Sequence, residues 1–317
     1  MRHVAKVLLM VVLAGSQLFA QGDPQEQLRE ACALGRQGEF DKAIHLAKEL
    51  IDSGQPGGVF PGRAWIVLGV VYSQQGRFVE AQDAFERSLR ILEGTRFVTD
   101  YADAIQNYGQ LYNQAGQITI AGQMWRKALE IRQQAGDHEG ISRSLTSLAG
   151  FALSQRHVGE ARKYLQGAAE EAKLTHDLTD DDVAIGYETQ AWLTMAEGHP
   201  AAAVADYDRA LEVCKRIHGD KHWLTGWEYM LRGKAYSYSG NVNQALDDMR
   251  AGLRILDQVL GRKNPRYFAA QIAYATALDR AGLRAQAAQW RAAGEQAQKD
   301  FYRSQCVGCT INVAAFR

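Results

Sequence analysis

The stretch from Ala64 to Leu92 reads AWIVLGVVYSQQGRFVEAQDAFERSLRIL and decides the fold that we expect. Its first half places Trp65, Leu68, Gly69 and Tyr72 at positions i, i+3, i+4 and i+7. These positions share one face of an α-helix, because the helix repeats every 3.6 residues. The spacing therefore predicts an amphipathic helix with an apolar, partly aromatic face.

The second half of the same stretch predicts another helix. Gly76 interrupts the first pattern, and Ala81, Phe85 and Leu89 then form a second apolar stripe at helical spacing. Small residues such as Gly69 and Ala81 let two antiparallel helices approach closely, while the aromatic rings fill the remaining space. We therefore expect a helical hairpin.

Copies of this hairpin follow each other along the chain. The next copy places Tyr108, Gly109 and Tyr112 before its turn and Ala121 and Trp125 after it. The expected turns recur at nearly constant steps, at Gly38, Gly76, Gly116, Arg156, Gly198, Gly240 and Gly282. Because self-similarity at a fixed period is typical of stacked repeats, the sequence predicts seven hairpins in one all-α array over residues 25–300.

The pattern of Trp, Leu-Gly and Tyr followed by Ala, Phe and Ala resembles the tetratricopeptide repeat family. The resemblance covers about residues 25–300 and implies a right-handed α-solenoid that binds proteins. The 42-residue period and the links at 216–222 and 259–265 are similar to the kinesin light chain subtype, although only Pro265 supplies that subtype's proline and Trp223 follows His222 instead. The resemblance does not imply kinesin binding.

A solenoid of this kind has a concave side lined by the first helix of each hairpin. Such a groove fits an extended peptide or a helix of a partner, which amide and hydroxyl side chains can hydrogen-bond. We expect the partner-binding positions to be Arg63, Gln106, Asn107, Gln110, Asn113, Arg143, Thr146, Ser147, Glu188, Trp192, Trp227, Lys234 and Tyr238. The alternative interpretation of each is a solvated helix residue.

Family members that hold the C-terminal carboxylate of chaperones use five lysine, asparagine and arginine positions. Two of these are kept here, at Asn107 and Arg143, whereas Ile66, Val70 and Ser147 occupy the others. We therefore do not expect a chaperone clamp, and a single carboxylate contact at Arg143 stays open.

The N-terminal segment 1–20 reads as a secretory signal peptide. Basic residues precede the apolar run from Val7 to Ala14, and small and polar residues follow it. This run is shorter than the roughly 20 residues of a membrane-spanning helix, so no stable membrane anchor is expected. Cleavage after Ala20 or Ser16 would release an exported protein, periplasmic or secreted. The alternatives are a buried first helix or a cytoplasmic regulator.

Composition and motifs exclude several other functions. Thirty-six basic and 36 acidic residues give no net charge, so no general basic field for nucleic acid is present. Neither a phosphate-binding loop nor a nucleophile motif is found, so we expect neither an enzyme nor a cofactor. His218, His222 and the acidic run 180–182 could suggest metal binding, but we interpret them as solvated links between repeats.

The C-terminal segment 301–317 departs from the repeat pattern, and we expect it to be irregular or strand-like. It holds Cys306 and Cys309, for which we expect a local disulfide; free thiols, a redox role and a metal role remain alternatives. Cys32 and Cys214 are interpreted as small core residues.

Two functions follow from these observations. The first is a non-catalytic, exported scaffold that binds a protein or peptide partner in its concave groove. The alternative is a thiol-redox or metal-binding accessory protein that acts through Cys306 and Cys309. Neither the partner's identity nor the oligomeric state follows from the sequence.

Overall fold

The computed structural model describes residues 23–53 and 58–305, and every regular element in these ranges is an α-helix. Their bounds are α1 Pro24–Arg36, α2 Phe40–Asp52, α3 Val59–Gln74, α4 Phe78–Leu92, α5 Val98–Gln114, α6 Ile118–Ala135, α7 His138–Ser154, α8 Val158–Ala172, α9 Asp180–Ala196, α10 Pro200–His218, α11 Trp223–Tyr238, α12 Val242–Leu260, α13 Pro265–Arg280 and α14 Arg284–Ser304. The all-helical prediction is confirmed for this part of the chain. Because α14 ends at Ser304, the first residues of the predicted C-terminal tail are helical.

Each predicted turn position adopts the left-handed conformation that ends a helix. Gly76 has a φ of 78°, and the amide of Arg77 donates a hydrogen bond of 2.8 Å to the carbonyl of Tyr72. This six-residue bond is the mark of the Schellman motif, which satisfies the last carbonyls of the helix. The same bond closes the turn at Arg156, a non-glycine residue with a φ of 64°.

Glycines set the close approach of the two helices within a hairpin. A Cβ added at Gly69 would lie 2.6 Å from the ring of Phe85, and one added at Gly109 would lie 2.8 Å from Trp125. The aromatic rings of the second helix therefore occupy the space that these glycines leave on the first, as the sequence pattern predicted.

The helices form two layers. The first helices α1 and α3, α3 and α5, α5 and α7, α7 and α9, and α11 and α13 pack directly on each other. Each of the second helices α2, α4, α6, α10 and α12 packs on the first helix that follows it. Helices that contact across successive hairpins lie at the smaller radius of a solenoid, so the first helices line its inner surface.

Aromatic residues of the last helix connect the two ends of the array. The ring of Phe301 packs edge-on against Phe78 at the start of α4, with 5.1 Å between ring centroids. The hydroxyl of Tyr302 donates a hydrogen bond of 2.8 Å to the carbonyl of Gln114. The C-terminal end of α14 therefore contacts the turns of the second and third hairpins.

The start of α13 makes a second connection with the N-terminal part. Asn264 Nδ2 donates a hydrogen bond of 2.8 Å to the carbonyl of Gln74. A Cβ added at Gly76 would lie 2.9 Å from Cδ of Pro265, so glycine permits this contact as well as the turn. The last hairpin and the start of α13 thus contact the second and third hairpins across the array. None of the described helices is long and apolar enough to cross a membrane.

Candidate interaction surface

All thirteen predicted partner-binding residues lie on first helices. Arg63 lies on α3, residues 106, 107, 110 and 113 on α5, residues 143, 146 and 147 on α7, residues 188 and 192 on α9, and residues 227, 234 and 238 on α11. Many of them are engaged with the array itself.

Arginine and aspartate side chains tie successive first helices together from α3 to α9. Arg63 Nη2 donates a hydrogen bond of 3.0 Å to Asp100, and its Nε contacts the second oxygen of the same carboxylate. Arg143 Nε donates a hydrogen bond of 3.0 Å to Asp182 on α9, and its Nη1 lies 3.4 Å from Asp103 on α5. We call these five residues the paired segment. Arg143 is thus surrounded by the chain's own carboxylates, which argues against the single carboxylate contact considered from the sequence.

A fully buried arginine on a second helix hydrogen-bonds to Asp103 of the paired segment. Arg132 of α6 is 0% exposed, and its guanidinium donates hydrogen bonds to the carboxylate of Asp103, to Ser144 Oγ at 2.7 Å and to the carbonyl of Gly140 at 3.0 Å. Burial lowers the pKa of Arg132, and Asp103 opposes that shift. Sequence analysis missed this residue, because a charged side chain on a second helix gives no signal that it will be buried.

Several predicted amide and hydroxyl residues are hydrogen-bonded within the array. Gln106 is buried and donates to Ser147 Oγ at 2.7 Å. Asn107 donates to the carbonyl of Asp103 at 2.9 Å, and Thr146 to the carbonyl of Ser142 at 3.0 Å. Gln106 thus joins α5 to α7, whereas Asn107 and Thr146 bond to the preceding turn of their own helices.

Two amide side chains on α5 behave differently. Gln110 is exposed and Asn113 is half-buried, and neither side chain has a hydrogen-bond partner among residues 23–53 and 58–305. They are therefore free to bond to a ligand main chain.

A carboxyl pair joins α9 to α11. Glu228 is 2% exposed, half-buried Glu188 hydrogen-bonds to it, and burial raises the pKa of both groups, that of Glu228 well above the ordinary range. Two carboxyl groups in one buried site share a proton, so the protonated one donates to the other.

Arg266 of α13 stacks 4.2 Å from the ring centroid of Trp223. Burial lowers the pKa of Arg266 to about 10, and nearby Glu188 opposes this shift.

A pocket of about 320 Å³ opens on the inner surface between α11 and α13. Its polar side consists of Lys234, Ser237 and Tyr238, so two predicted partner-binding residues line it. Trp227 on α11 and Trp192 on α9, also predicted, are half-buried. The inner surface around α11 therefore combines aromatic rings with a basic group.

The residues considered for metal binding form structural links. Asp181 lies in the first turn of α9 and accepts a hydrogen bond of 2.7 Å from His218 Nε2. His218 stacks on His222 with 4.3 Å between ring centroids, and each side chain is about 5% exposed. The interpretation of these histidines as solvated was wrong, because both side chains are buried. Asp181 pairs with His218, whereas Nε2 of His222 has no hydrogen-bond partner among the described residues. No group of three metal-ligating side chains occurs in the described residues.

The four cysteines divide between the two parts of the chain. Cys214 is buried and Cys32 half-buried, and both are free thiols. Cys306 and Cys309 lie outside the described residues, as do the predicted signal peptide 1–20 and the strand-like part of the tail.

Comparison with known families agrees with this architecture. Models of the tetratricopeptide repeat match residues 28–94 and 191–224. The chain is thus a helical-repeat protein that contains tetratricopeptide repeats, as its sequence predicted, and no catalytic family is indicated. Comparison with curated proteins gives no match.

Solved structures with the same fold cover most of the chain. A Rap protein complexed with competence and sporulation factor has a TM-score of 0.61 at 14% identity, covering 88% of this chain and 98% of its own. The apo form of RapI has a TM-score of 0.59 at 14% identity, covering 88% and 99%. A chain of the APC/C hetero-tetramer Cut9–Hcn1 has a TM-score of 0.56 at 15% identity, covering 86% and 47%. Identities this low establish the shared fold alone.

Proposed function

We propose that this chain is a non-catalytic scaffold of seven tetratricopeptide repeats, of the longer-period subtype found in kinesin light chains, which binds a peptide or protein in the groove lined by its first helices. The supporting architecture is the series of fourteen helices in the described residues, with seven turns of one geometry at the predicted positions. A surface built in this way recognises partners through side-chain contacts rather than through chemistry.

One observation carries the groove assignment. The inner surface keeps polar side chains that form no hydrogen bond or ion pair within the described part of the array: Gln110 and Asn113 on α5, and Lys234 on α11 next to the exposed ring of Tyr238. Unused donors and exposed aromatic rings on a concave surface provide binding energy for a ligand. The likeness to a Rap protein crystallised with competence and sporulation factor supports the same proposal.

The test is capture of partners from a cell-envelope extract with two matched double variants. Gln110→Arg with Asn113→Arg places two charges in the groove, whereas Gln123→Arg with Gln133→Arg places the same charges on exposed positions of the outer helix α6. We expect proteins bound by wild type and by the outer variant to be lost with the inner variant. If the inner variant captures them equally well, the groove does not bind the partner.

Export is the second part of the proposal, and it stands on the pattern of residues 1–20. N-terminal sequencing of the chain purified from its native host is expected to begin at Gln21 or Gln17, after cleavage at Ala20 or Ser16. A mature chain that begins at Met1 would assign the protein to the cytoplasm instead.

A further inference from the structure

The pocket between α11 and α13 combines one basic group with apolar walls. It is lined by Lys234, Ser237, Tyr238, Met249, Ala269, Ile272, Ala273, Thr276 and Ala277, and its volume is about 320 Å³. This volume lies at the lower end of the range of roughly 300–1,000 Å³ found for ligand pockets. The pocket is therefore large enough for one apolar side chain and a neighbouring polar group.

Lys234 differs from the other basic residues of the inner surface. Arg63 and Arg143 are paired with carboxylates, whereas no described residue forms an ion pair or hydrogen bond with the ammonium group of Lys234. This side chain is half-buried, and burial lowers its pKa. A partly desolvated ammonium group without a counter-ion is costly, so the site favours an anion that restores the lost interactions.

A second basic group extends the positive character of the pocket. The guanidinium of Arg280 lies 4.3 Å from the ring centroid of Tyr238, and its Nε donates a hydrogen bond of 3.1 Å to the carbonyl of Ser237. The nearest acidic residue in sequence, Asp279, is itself paired with Arg291 at 2.5 Å. None of the residues that line the pocket is acidic, and Arg280 adds a second positive charge next to Tyr238.

From this geometry we infer that the Lys234 pocket binds a carboxylate of the partner polypeptide together with the apolar side chain next to it. The ammonium group of Lys234 receives the carboxylate, and Ile272, Ala273 and Met249 contact the apolar side chain. This inference rests on the proposed function and specifies the chemistry of the bound segment. Its position, on the last two hairpins, is far along the chain from the residues that match the chaperone clamp.

The test uses small probes, so it does not require the partner. N-acetyl-phenylalanine carries an apolar ring beside a carboxylate, and N-acetyl-phenylalanine amide has the same shape without the charge. We expect the acid to bind in the millimolar range, as is usual for a ligand of this size, and to bind at least about tenfold more tightly than the amide in ligand-observed NMR titrations. Added salt weakens the binding of the acid.

Three lysine variants locate the binding. Lys234→Met is expected to reduce the affinity for the acid about tenfold, whereas Lys234→Arg retains most of it. Lys299→Met, at an exposed lysine on α14, leaves it unchanged. Circular dichroism confirms that each variant is folded.

The outcomes separate this inference from the proposed function. Equal binding of acid and amide, no binding of either probe, or unchanged affinity in Lys234→Met would overturn the pocket assignment while leaving the groove experiment intact. If the inner double variant loses partner capture and the probes do not bind, the groove still binds a partner, but the Lys234 pocket does not bind a carboxylate.

Discussion

Two parts of the inner surface use charge in opposite ways. In the paired segment, Arg63 and Arg143 are held by carboxylates of neighbouring first helices. In the Lys234 pocket, a half-buried ammonium group faces apolar side chains. Charges that satisfy one another fix the spacing of the helices, whereas a charge that the fold leaves unsatisfied is available to a ligand. The comparison teaches that position on the concave side does not by itself identify a binding residue.

Removal of Arg132 is expected to have the largest effect, since it removes the support of the paired segment. Arg132→Met leaves Ser144 and the carbonyl of Gly140 without this donor, and Asp103 with the longer contact to Arg143. Breaking a buried ion pair of this kind lowers the free energy of unfolding by about 3 kcal/mol. Urea denaturation followed by circular dichroism measures the change.

A matched control is the exposed pair of Lys127 and Glu130 on the same helix, 3.2 Å apart. Lys127→Met is expected to change the free energy of unfolding by no more than about 0.5 kcal/mol. Equal effects of the two substitutions would contradict the claim that the paired segment stabilises the fold.

Substitution in the carboxyl pair of Glu188 and Glu228 is expected to raise the free energy of unfolding instead, because burial of the charged carboxylate is unfavourable. Burial raises the pKa of Glu188 to about 7 and that of Glu228 well above its ordinary value. Between about pH 4.3, the ordinary pKa of glutamate, and pH 7 the folded chain binds more protons than the unfolded chain. The contribution of this pair to stability therefore falls as the pH rises through this window.

Glu228→Gln imitates the protonated group and is expected to stabilise the fold by about 2 kcal/mol at pH 7, with a smaller gain at pH 5. Thermal denaturation across this pH range measures both the gain and the flattened pH dependence. Glu130→Gln, on the exposed surface of α6, serves as the control and leaves the pH profile unchanged. If Glu228→Gln leaves the pH profile of stability the same as that of wild type, the assignment is refuted.

The contact of α14 with the second and third hairpins connects the C-terminal part of the array to its N-terminal part. Phe301→Ala removes the half-buried ring that packs on Phe78 and Phe268. We expect a loss of about 1.5 kcal/mol in the free energy of unfolding and a larger radius of gyration in small-angle X-ray scattering. Leu174→Ala, at a side chain that is 63% exposed, is the control. An unchanged radius would show that other contacts suffice to hold the ends together.

The sequence predicted the helical hairpins and their turns because these depend on local spacing. The residue types of Gly69 and Phe85 and their helical spacing predict that they are in contact, and the structure shows this contact. The helical pattern also placed the predicted residues on first helices. The hairpins and their turns can therefore be predicted from the sequence pattern of one repeat and its copies.

The state of each inner residue depends on distant neighbours and could not be predicted in the same way. Arg143 and Lys234 are both basic residues on first helices, yet Asp182 reaches the first and no carboxylate among the described residues reaches the second. The contact of Asn264 with Gln74 joins residues 190 positions apart, and the repeat pattern does not predict it. Pairing and closure are properties of the assembled solenoid.

The smallest expected effect concerns the one predicted turn without glycine. Arg156 has a φ of 64°, where a side chain is unfavourable by about 1–2 kcal/mol, and glycine would lose some of that gain through its larger unfolded-state entropy. We therefore expect Arg156→Gly to raise the free energy of unfolding by up to about 1 kcal/mol in urea denaturation. The reverse change, Gly198→Ala at a φ of 90°, is expected to lower it by a similar amount, and its added Cβ would meet no atom within 4 Å, so the effect arises from the backbone alone. If the two substitutions shift stability in the same direction, the left-handed turn is not what limits this position, and the break in the glycine series must have another physical origin.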